Sequence, residues 1–533
     1  MQVRSSLLKV GSMADSLGVY VPAMVLQKGL GLARILLFAN LMSRAEYGLW
    51  GMGLMIFLIA SPVATLGANH GLTRYVSLYE AQGKLAAFYR RVKSRCILAI
   101  LAVTAVGIAT SPWITKLVLV SEATHTAVGF TDRYQLYVCL AAMANVLAGG
   151  IYADMLGFLF GMRAYRLASA TELAFSLVLT LLGVAALAVW PTALALLAAH
   201  FLAQAVVLTV GVIMLQAALD PAEGYRGNGK DWPEIQAAAT AGKAPVPSSE
   251  GPTPVGESSL DRSFRRVLRF GFVAMVGNIL WLVAQHISLY LTNRHYGKED
   301  AAVFSAFLQL SQAVLLVSNS AFAVVFAHVA RRWEASSRSA AMGTLETAYK
   351  AITIAMMAVT ILIFATSPWW VRVLPRKFHD GVALLGGLLM FFQSVSNLSM
   401  LNLVARLREW PLAIALAALA AGVLNVVLAG WWTPLFPYGP AGTAWAAGVG
   451  MLVGGAVVMV VYFLAAGVRI QPVTYLLMAC PLLLLAPVWV AAVVWGTVIV
   501  AALATPLLFS RNEKRDLAVV VSRVLRQFVR ARS

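Results

Sequence analysis

The chain of 533 residues carries 41 Lys and Arg against 22 Asp and Glu, a formal charge of +19, yet only 12% of its residues are charged and 60% are hydrophobic. Soluble domains average about 25% charged residues, so this composition excludes an ordinary soluble protein, including a soluble nucleic-acid binder that would set its basic residues in a polar matrix. The matrix here is a series of apolar runs of about 20 residues, the length a helix needs to cross a bilayer, and the fold class is an all-α polytopic membrane protein.

Arg4 and Lys9 precede the first apolar run. That run is long, contains Lys28 and Arg34 and is followed by no small-residue cleavage site, so it reads as a retained first helix and not as a signal peptide. Hydropathy then places spans at about 17–41, 48–70, 96–119, 134–160, 167–189, 192–218, 268–292, 302–328, 348–371, 381–404, 411–432, 440–465, 472–488 and 490–509, the last two short enough to form a re-entrant hairpin. The expected organisation is a six-helix bundle over 1–218, a flexible cytoplasmic linker over 219–267, a second six-helix bundle over 268–465, two extra transmembrane helices over 466–510 and a basic amphipathic tail over 511–533. The linker is marked by Gly227-Asn228-Gly229-Lys230 and by the Pro- and Ser-rich run from Ala244 to Pro254.

Basic residues orient the chain, because loops retained in the cytoplasm accumulate Lys and Arg. With the N-terminus inside, the inside segments hold 31 of the 41 and the outside segments 8. Both termini are therefore expected in the cytoplasm. The halves also resemble each other. Val21-Pro22-Ala23-Met24-Val25 aligns with Phe272-Val273-Ala274-Met275-Val276, and Ala109-Thr110-Ser111-Pro112-Trp113 recurs unchanged as Ala365-Thr366-Ser367-Pro368-Trp369. Six spans per unit is an even number, so the repeat is parallel, about an axis along the membrane normal.

The ionisable residues inside spans carry the functional reading, since a cation at the helix centre costs at least roughly 2.5 to 3.5 kcal/mol. Tyr20, Gln27 and Arg34 stack seven apart into one polar stripe on the first span, with Gly31 beside them and Lys28 next in sequence to Gln27. The repeat sets Asn278 and Gln285 of span seven against Gln27 and Arg34, so Arg34, Lys28, Gln27, Asn278 and Gln285 are the expected substrate-binding residues of a positively charged cavity suited to phosphate or carboxylate. The opposing reading has Arg34 snorkelling and Lys28 paired with an acid. Asp154 and Glu172, buried acids in spans four and five, are candidates for ion coupling, with pairing to Arg163, Arg166 or Lys28 as the structural alternative.

His200 and His286 read as satisfied core residues. Asn145, Gln309, Gln312, Asn319, Asn397, Asn402 and Asn425 could bond sugar hydroxyls or serve as glue between helices. Cys96, Cys139 and Cys480 have no paired spacing and read as small apolar residues without disulfide or zinc. The sequence contains no G-x-x-x-x-G-K-[ST] loop, H-E-x-x-H, CxxC or G-x-S-x-G. No catalytic residue, metal or cofactor is expected, and transport is the expected activity. In the tail, Leu517, Val521, Val524, Leu525 and Phe528 share a helical face flanked by Arg515, Arg523, Arg526 and Arg530, a pattern suited to anionic membrane lipids and needing no nucleic acid.

Span one followed by Leu41-Met42-Ser43-Arg44-Ala45-Glu46-Tyr47-Gly48, then an apolar span and Leu66-Gly67-Ala68-Asn69-His70-Gly71-Leu72-Thr73-Arg74-Tyr75, resembles the opening of the polysaccharide-biosynthesis flippases of the multidrug/oligosaccharidyl-lipid/polysaccharide exporter superfamily. The resemblance implies two six-helix bundles around a central cavity in the bacterial inner membrane. It also implies an undecaprenyl-pyrophosphate-linked oligosaccharide as the partner moved between leaflets, with a polysaccharide polymerase and glycosyltransferases as neighbours. In that family cavity cations meet the pyrophosphate or acidic sugars, a role open here to Arg34 and Lys28. The long 219–267 segment departs from the family pattern. Alternatives are a multidrug/cation antiporter of the same superfamily, a lipid II flippase and, from another class, a membrane-embedded glycan polymerase or ligase, against which the short outside loops argue.

Overall fold

The computed structural model describes residues 13–81, 85–120, 131–162, 164–219, 257–315, 338–408, 410 and 412–515, with isolated positions between 318 and 333 and at 517–518. Among them every regular element is helical. Eleven helices are long and apolar enough to cross a membrane, and two shorter apolar stretches follow at Pro472–Leu485 and Val488–Ala504. The expected eighth span is helical as far as Ser311, and most of its remainder lies outside the described residues. The chain is therefore an all-α, multi-pass membrane protein.

One compact unit is formed by 1–313 together with 372–381 and 429–443. In chain order its described helices are α1 (Met13–Leu41), α2 (Arg44–Thr65), α3 (Ala68–Ala81), α4 (Leu85–Ile114), α5 (Asp132–Gly161), α6 (Tyr165–Val189), α7 (Ala193–Leu219), α8 (Glu257–Tyr296) and α9 (Lys298–Ser311). Helix α5 is the centre, packed against α2, α3, α4 and α7, while α6 covers α1 and α7. Helices α8 and α9 lie against α2 and α3. The other unit comprises 314–371, 382–428 and 444–533. It contains α10 (Arg338–Trp370), α11 (Val382–Leu407), most of α12 (Leu412–Trp432), most of α13 (Gly439–Gly450), α14 (Ala456–Ala465), α15 (Pro472–Met478) and α16 (Val488–Ala504). Its core element is α11, almost wholly buried, with α10 and the 480–485 turn on its flanks.

Three helices run beyond their hydropathic spans. Helix α4 begins at Leu85 and α10 at Arg338, because their amphipathic first turns continue the apolar stretch, and α8 begins at Glu257, within the expected linker. In α8 the apolar residues Leu260, Phe264, Val267, Leu268 and Gly271 follow the helical period, and Val267 is buried against Gly71. Residues 220–256, the rest of that expected linker, lie outside the described residues, as does most of the 511–533 tail.

The repeated Ala-Thr-Ser-Pro-Trp segments fold alike. Each proline sits near the end of its helix, where the missing N–H ends the α pattern, and a π turn (Thr115–Leu119) follows α4 while a 3-10 turn (Val371–Val373) follows α10. Thr110 donates to the Val106 carbonyl at 2.9 Å and Thr366 to the Leu362 carbonyl at 2.7 Å. Ser111 and Ser367 are buried, and Trp113 and Trp369 are exposed.

The motif at the start of α2 is used residue by residue. Ser43 caps the helix, its Oγ accepting the Glu46 N–H at 3.2 Å. The Glu46 carboxylate accepts the Tyr134 hydroxyl at 2.8 Å and the Ala193 N–H at 2.7 Å, tying α2 to α5 and α7. Arg44 pairs with Asp300 at 2.9 Å and Asp380 at 3.4 Å, and Tyr438 donates to the same Asp300 oxygen at 2.9 Å. Gly48 faces the backbone of Lys298 so closely that a Cβ would overlap its carbonyl. At the far end of α2, Leu66 and Gly67 both have positive φ, 48° and 69°, and a Cβ on Gly67 would overlap the Gly271 backbone. Gly48→Ala and Gly67→Ala should each destabilise the detergent-solubilised protein by about 1–3 kcal/mol through overpacking, read by thermal unfolding. Gly343→Ala, which has open space at its Cβ, should stabilise α10 by up to ~1 kcal/mol.

Candidate functional site

Arg34 sits on the face of α1 turned into the first unit. Its Nη1 is buried with no hydrogen-bond partner among the described residues, and the neighbouring Tyr47 hydroxyl is likewise buried and unpartnered. His200 of α7 lies within electrostatic range of the guanidinium, with its ring edge-on to Phe57 at 5.3 Å and Phe175 at 5.4 Å. Its Nδ1 meets Asn145 Oδ1 at 2.6 Å, and Asn145 Nδ2 donates to the carbonyls of Leu197 and Ala141 at 3.0 and 2.8 Å. Asn145 is thus helix glue and His200 a positioned core residue, whereas Arg34 is left with donor capacity unspent. A guanidinium presents five N–H groups in a planar fork that matches carboxylate or phosphate bidentately. Buried unpartnered polar atoms are rare in folded proteins, and each calls for an explanation.

The other expected site residues divide. Gln27 is half-buried, and its main-chain carbonyl accepts the Ser176 hydroxyl at 3.4 Å, a contact between the α1 backbone and α6. Lys28 is exposed and interacts electrostatically with Glu172 of α6, the pairing that the structural alternative described, although no ion pair within contact distance forms. Tyr20's side chain lies outside the described residues. Asn278 and Gln285 are half-buried on α8, form no hydrogen bond among the described residues, and ride on a helix packed chiefly against α2, α3 and α9. The structure therefore joins Arg34 to Tyr47 and His200, and Lys28 to Glu172, while leaving Asn278 and Gln285 on a different packing surface. Asp154 stands apart, with both carboxylate oxygens buried and only the Cys96 thiol beside them. Cys96, Cys139 and Cys480 are buried free thiols, and no cluster of metal-ligating side chains occurs among the described residues.

One polar centre had no counterpart in the sequence reading. The second unit buries Lys350 on α10, whose Nζ donates to Glu513 Oε1 at 2.9 Å and Gln471 Oε1 at 2.7 Å, while Glu346 accepts the Gln471 N–H at 2.9 Å. Glu513 also closes a capping box with Ser510, each backbone N–H bonded to the other's side chain at 2.7 and 3.3 Å. The signals available were the Glu346–Lys350 pair at helical spacing and the Ser-x-x-Glu before the tail, but nothing in sequence joins them. Along α11, Thr360 donates to Gln393, Gln393 to Asn397, and Asn397 to the Leu477 carbonyl, so Asn397 is glue as well.

A family model of polysaccharide biosynthesis proteins matches residues 13–333. The chain belongs to the polysaccharide biosynthesis protein family. Solved structures show the family member's fold: it is similar to an inward-facing MATE multidrug resistance transporter of the MOP superfamily, with 14% identity, a TM-score of 0.56 and coverage of 88% of this chain and 97% of that one. It is similar too to a MOP superfamily transporter from Pyrococcus furiosus Vc1 described as having a binding pocket of reverse polarity, at 15% identity, TM-score 0.57, and 87% and 97% coverage. A MATE protein in complex with MaL6 gives 14% identity, TM-score 0.58, and 87% and 97% coverage. No curated protein matches the chain.

Burial alone would raise the Glu513 carboxyl, but the Lys350 ammonium, the Ser510 N–H and the Thr347 hydroxyl together hold it below the usual carboxylate range. A carboxylate depressed on folding stabilises above its unfolded value of ~4.3 and loses that contribution as pH falls through the lower folded value. Attachment of the 511–515 helix to α10 should therefore persist down to about pH 4 and loosen below it, read as increased amide hydrogen exchange at 511–515. In Glu513→Gln that pH dependence should disappear.

Proposed function

We propose that this family member is a flippase that moves an undecaprenyl-pyrophosphate-linked oligosaccharide from the inner to the outer leaflet of the bacterial inner membrane by alternating access, with both termini in the cytoplasm. The observation that carries the reading is the half-buried Arg34, whose Nη1 is buried and has no hydrogen-bond partner among the described residues, with Tyr47 and His200 within electrostatic range. A pyrophosphate or an acidic sugar supplies the acceptors that Arg34 lacks. A cation transporter would instead place unopposed acids at this position. Family membership supports a role in polysaccharide biosynthesis.

On this proposal the substrate arrives from glycosyltransferases that assemble the lipid-linked unit on the cytoplasmic face and leaves towards a polymerase on the other. The two six-helix bundles expected from the repeat are the elements that alternate, and the basic tail beyond Arg511 rests on anionic lipid. The buried acid Asp154 favours a second reading, a multidrug/cation antiporter of the same superfamily.

Proteoliposomes separate these readings. The purified protein should speed leaflet translocation of a pyrophosphate-linked oligosaccharide over protein-free vesicles without exporting cationic dyes. Arg34→Ala should slow translocation at least ~10-fold, equivalent to about 1.4 kcal/mol, and Arg34→Lys should restore part of it. Dye export without glycolipid translocation would establish the antiporter instead.

A further inference from the structure

The carboxylate of Asp154 on α5 is buried, and apart from the weakly donating Cys96 thiol beside it neither oxygen has a hydrogen-bond partner among the described residues. It lines a cavity of about 40 Å³, roomy enough for water, which needs roughly 10–15 Å³. The wall opposite is supplied by α4, with Tyr89, Val92, Lys93 and Cys96, while α3 contributes Leu72 and α7 contributes Val212. The titratable groups facing the carboxylate are thus the Cys96 thiol, the Tyr89 hydroxyl and the Lys93 ammonium, all from α4. Those from α3 and α7 are apolar, and no residue of α2 or α6 lines the cavity.

Lys93 does not neutralise Asp154: no ion pair joins them, and its ammonium stands over the Tyr89 ring, 5.6 Å from the centroid. An ionised carboxylate held in such surroundings without a charged partner is costly. Something must relieve that cost. A hard metal cation takes six or more oxygen ligands, and the lining side chains offer the carboxylate and one phenol. The helical carbonyls around the cavity are occupied by their own helix bonds, and Lys93 repels a second cation. A proton needs one oxygen.

We propose that Asp154 is a proton-binding site of the transporter, loaded through the cavity past Lys93, and that the coupling ion is the proton and not a metal cation. The proposal rests on the transporter reading for its role in coupling, while occupancy of the carboxyl by a proton can be measured without any substrate. Binding is a single transfer: water or hydronium in the cavity gives a proton to one carboxylate oxygen, and the neutral acid then donates a hydrogen bond to that water. Release reverses the step.

Infrared difference spectroscopy of the full-length protein in liposomes, titrated through the neutral range, reads this carboxyl directly. The wild type should show a carboxylic-acid carbonyl band that grows on acidification, is unchanged when sodium replaces potassium, and is lost in Asp154→Asn. In Asp154→Glu the band should reappear at a shifted position, which separates loss of the group from loss of the fold. Identical titrating spectra for wild type and Asp154→Asn, or a band removed by sodium at constant pH, would overturn the proposal. In proteoliposomes an imposed pH gradient should accelerate translocation in the wild type and lose that effect in Asp154→Asn. Failure of glycolipid translocation by the wild type would count against the flippase reading alone, since the infrared band is independent of it.

Discussion

Hydrocarbon offers buried polar groups no water, so a charged side chain inside this protein must find a partner or stand as an exception. The first unit meets that constraint at the start of α2. There a short stretch supplies a cap at Ser43, a bridge from Arg44 to Asp300 and Asp380, a carboxylate at Glu46 that holds α5 and α7, and a glycine at 48 that lets the α9 backbone approach. Losing one partner of such a network leaves a desolvated charge behind, which is why these residues act together. The second unit solves the same problem around Lys350, with ligands drawn from Gln471 and Glu513. Its attachment of the residues just before the tail is a structural consequence of burying one ammonium.

Against that background the unsatisfied groups gain meaning. Arg34 and Asp154 both lie in the first unit, carry opposite charge and face different surroundings: the neighbourhood of Tyr47 and His200 in one case, a small cavity walled by α4 in the other. Their separation matters. Had they been adjacent they would have paired, as Lys350 and Glu513 do, and neither would remain open to a ligand. A transporter needs binding groups whose partners come and go, and such groups must be left incomplete by the fold itself.

Most of the helical layout was legible in the sequence because each span is an apolar run bounded by turns. Helices longer than their spans were not legible, since α4, α8 and α10 are extended by amphipathic turns that hydropathy averages scarcely register. The Tyr47-Gly48 and Leu66-Gly67 motifs were visible as a family resemblance, and the structure supplies their cause in close backbone approaches to Lys298 and Gly271. The Ala-Thr-Ser-Pro-Trp repeat was readable because it encodes a local event, a proline ending a helix. Arg34 stood out because a cation in an apolar run is costly wherever it points. Lys350 escaped notice because its partner Glu513 lies 163 residues away, and the pairing of His200 with Asn145 spans 55. Periodicity marks faces of one helix; contacts between distant helices leave no such trace.

The central claim is that Arg34 presents an unfulfilled positive charge to an anionic group. Equilibrium binding of a short-chain polyprenyl pyrophosphate to the purified protein, compared with Arg34→Gln, tests it most directly. The account predicts binding that weakens with rising salt and falls by at least ~10-fold in Arg34→Gln, about 1.4 kcal/mol, while the matching uncharged polyprenol binds both proteins alike. Equal affinity of the two proteins for the pyrophosphate would contradict it.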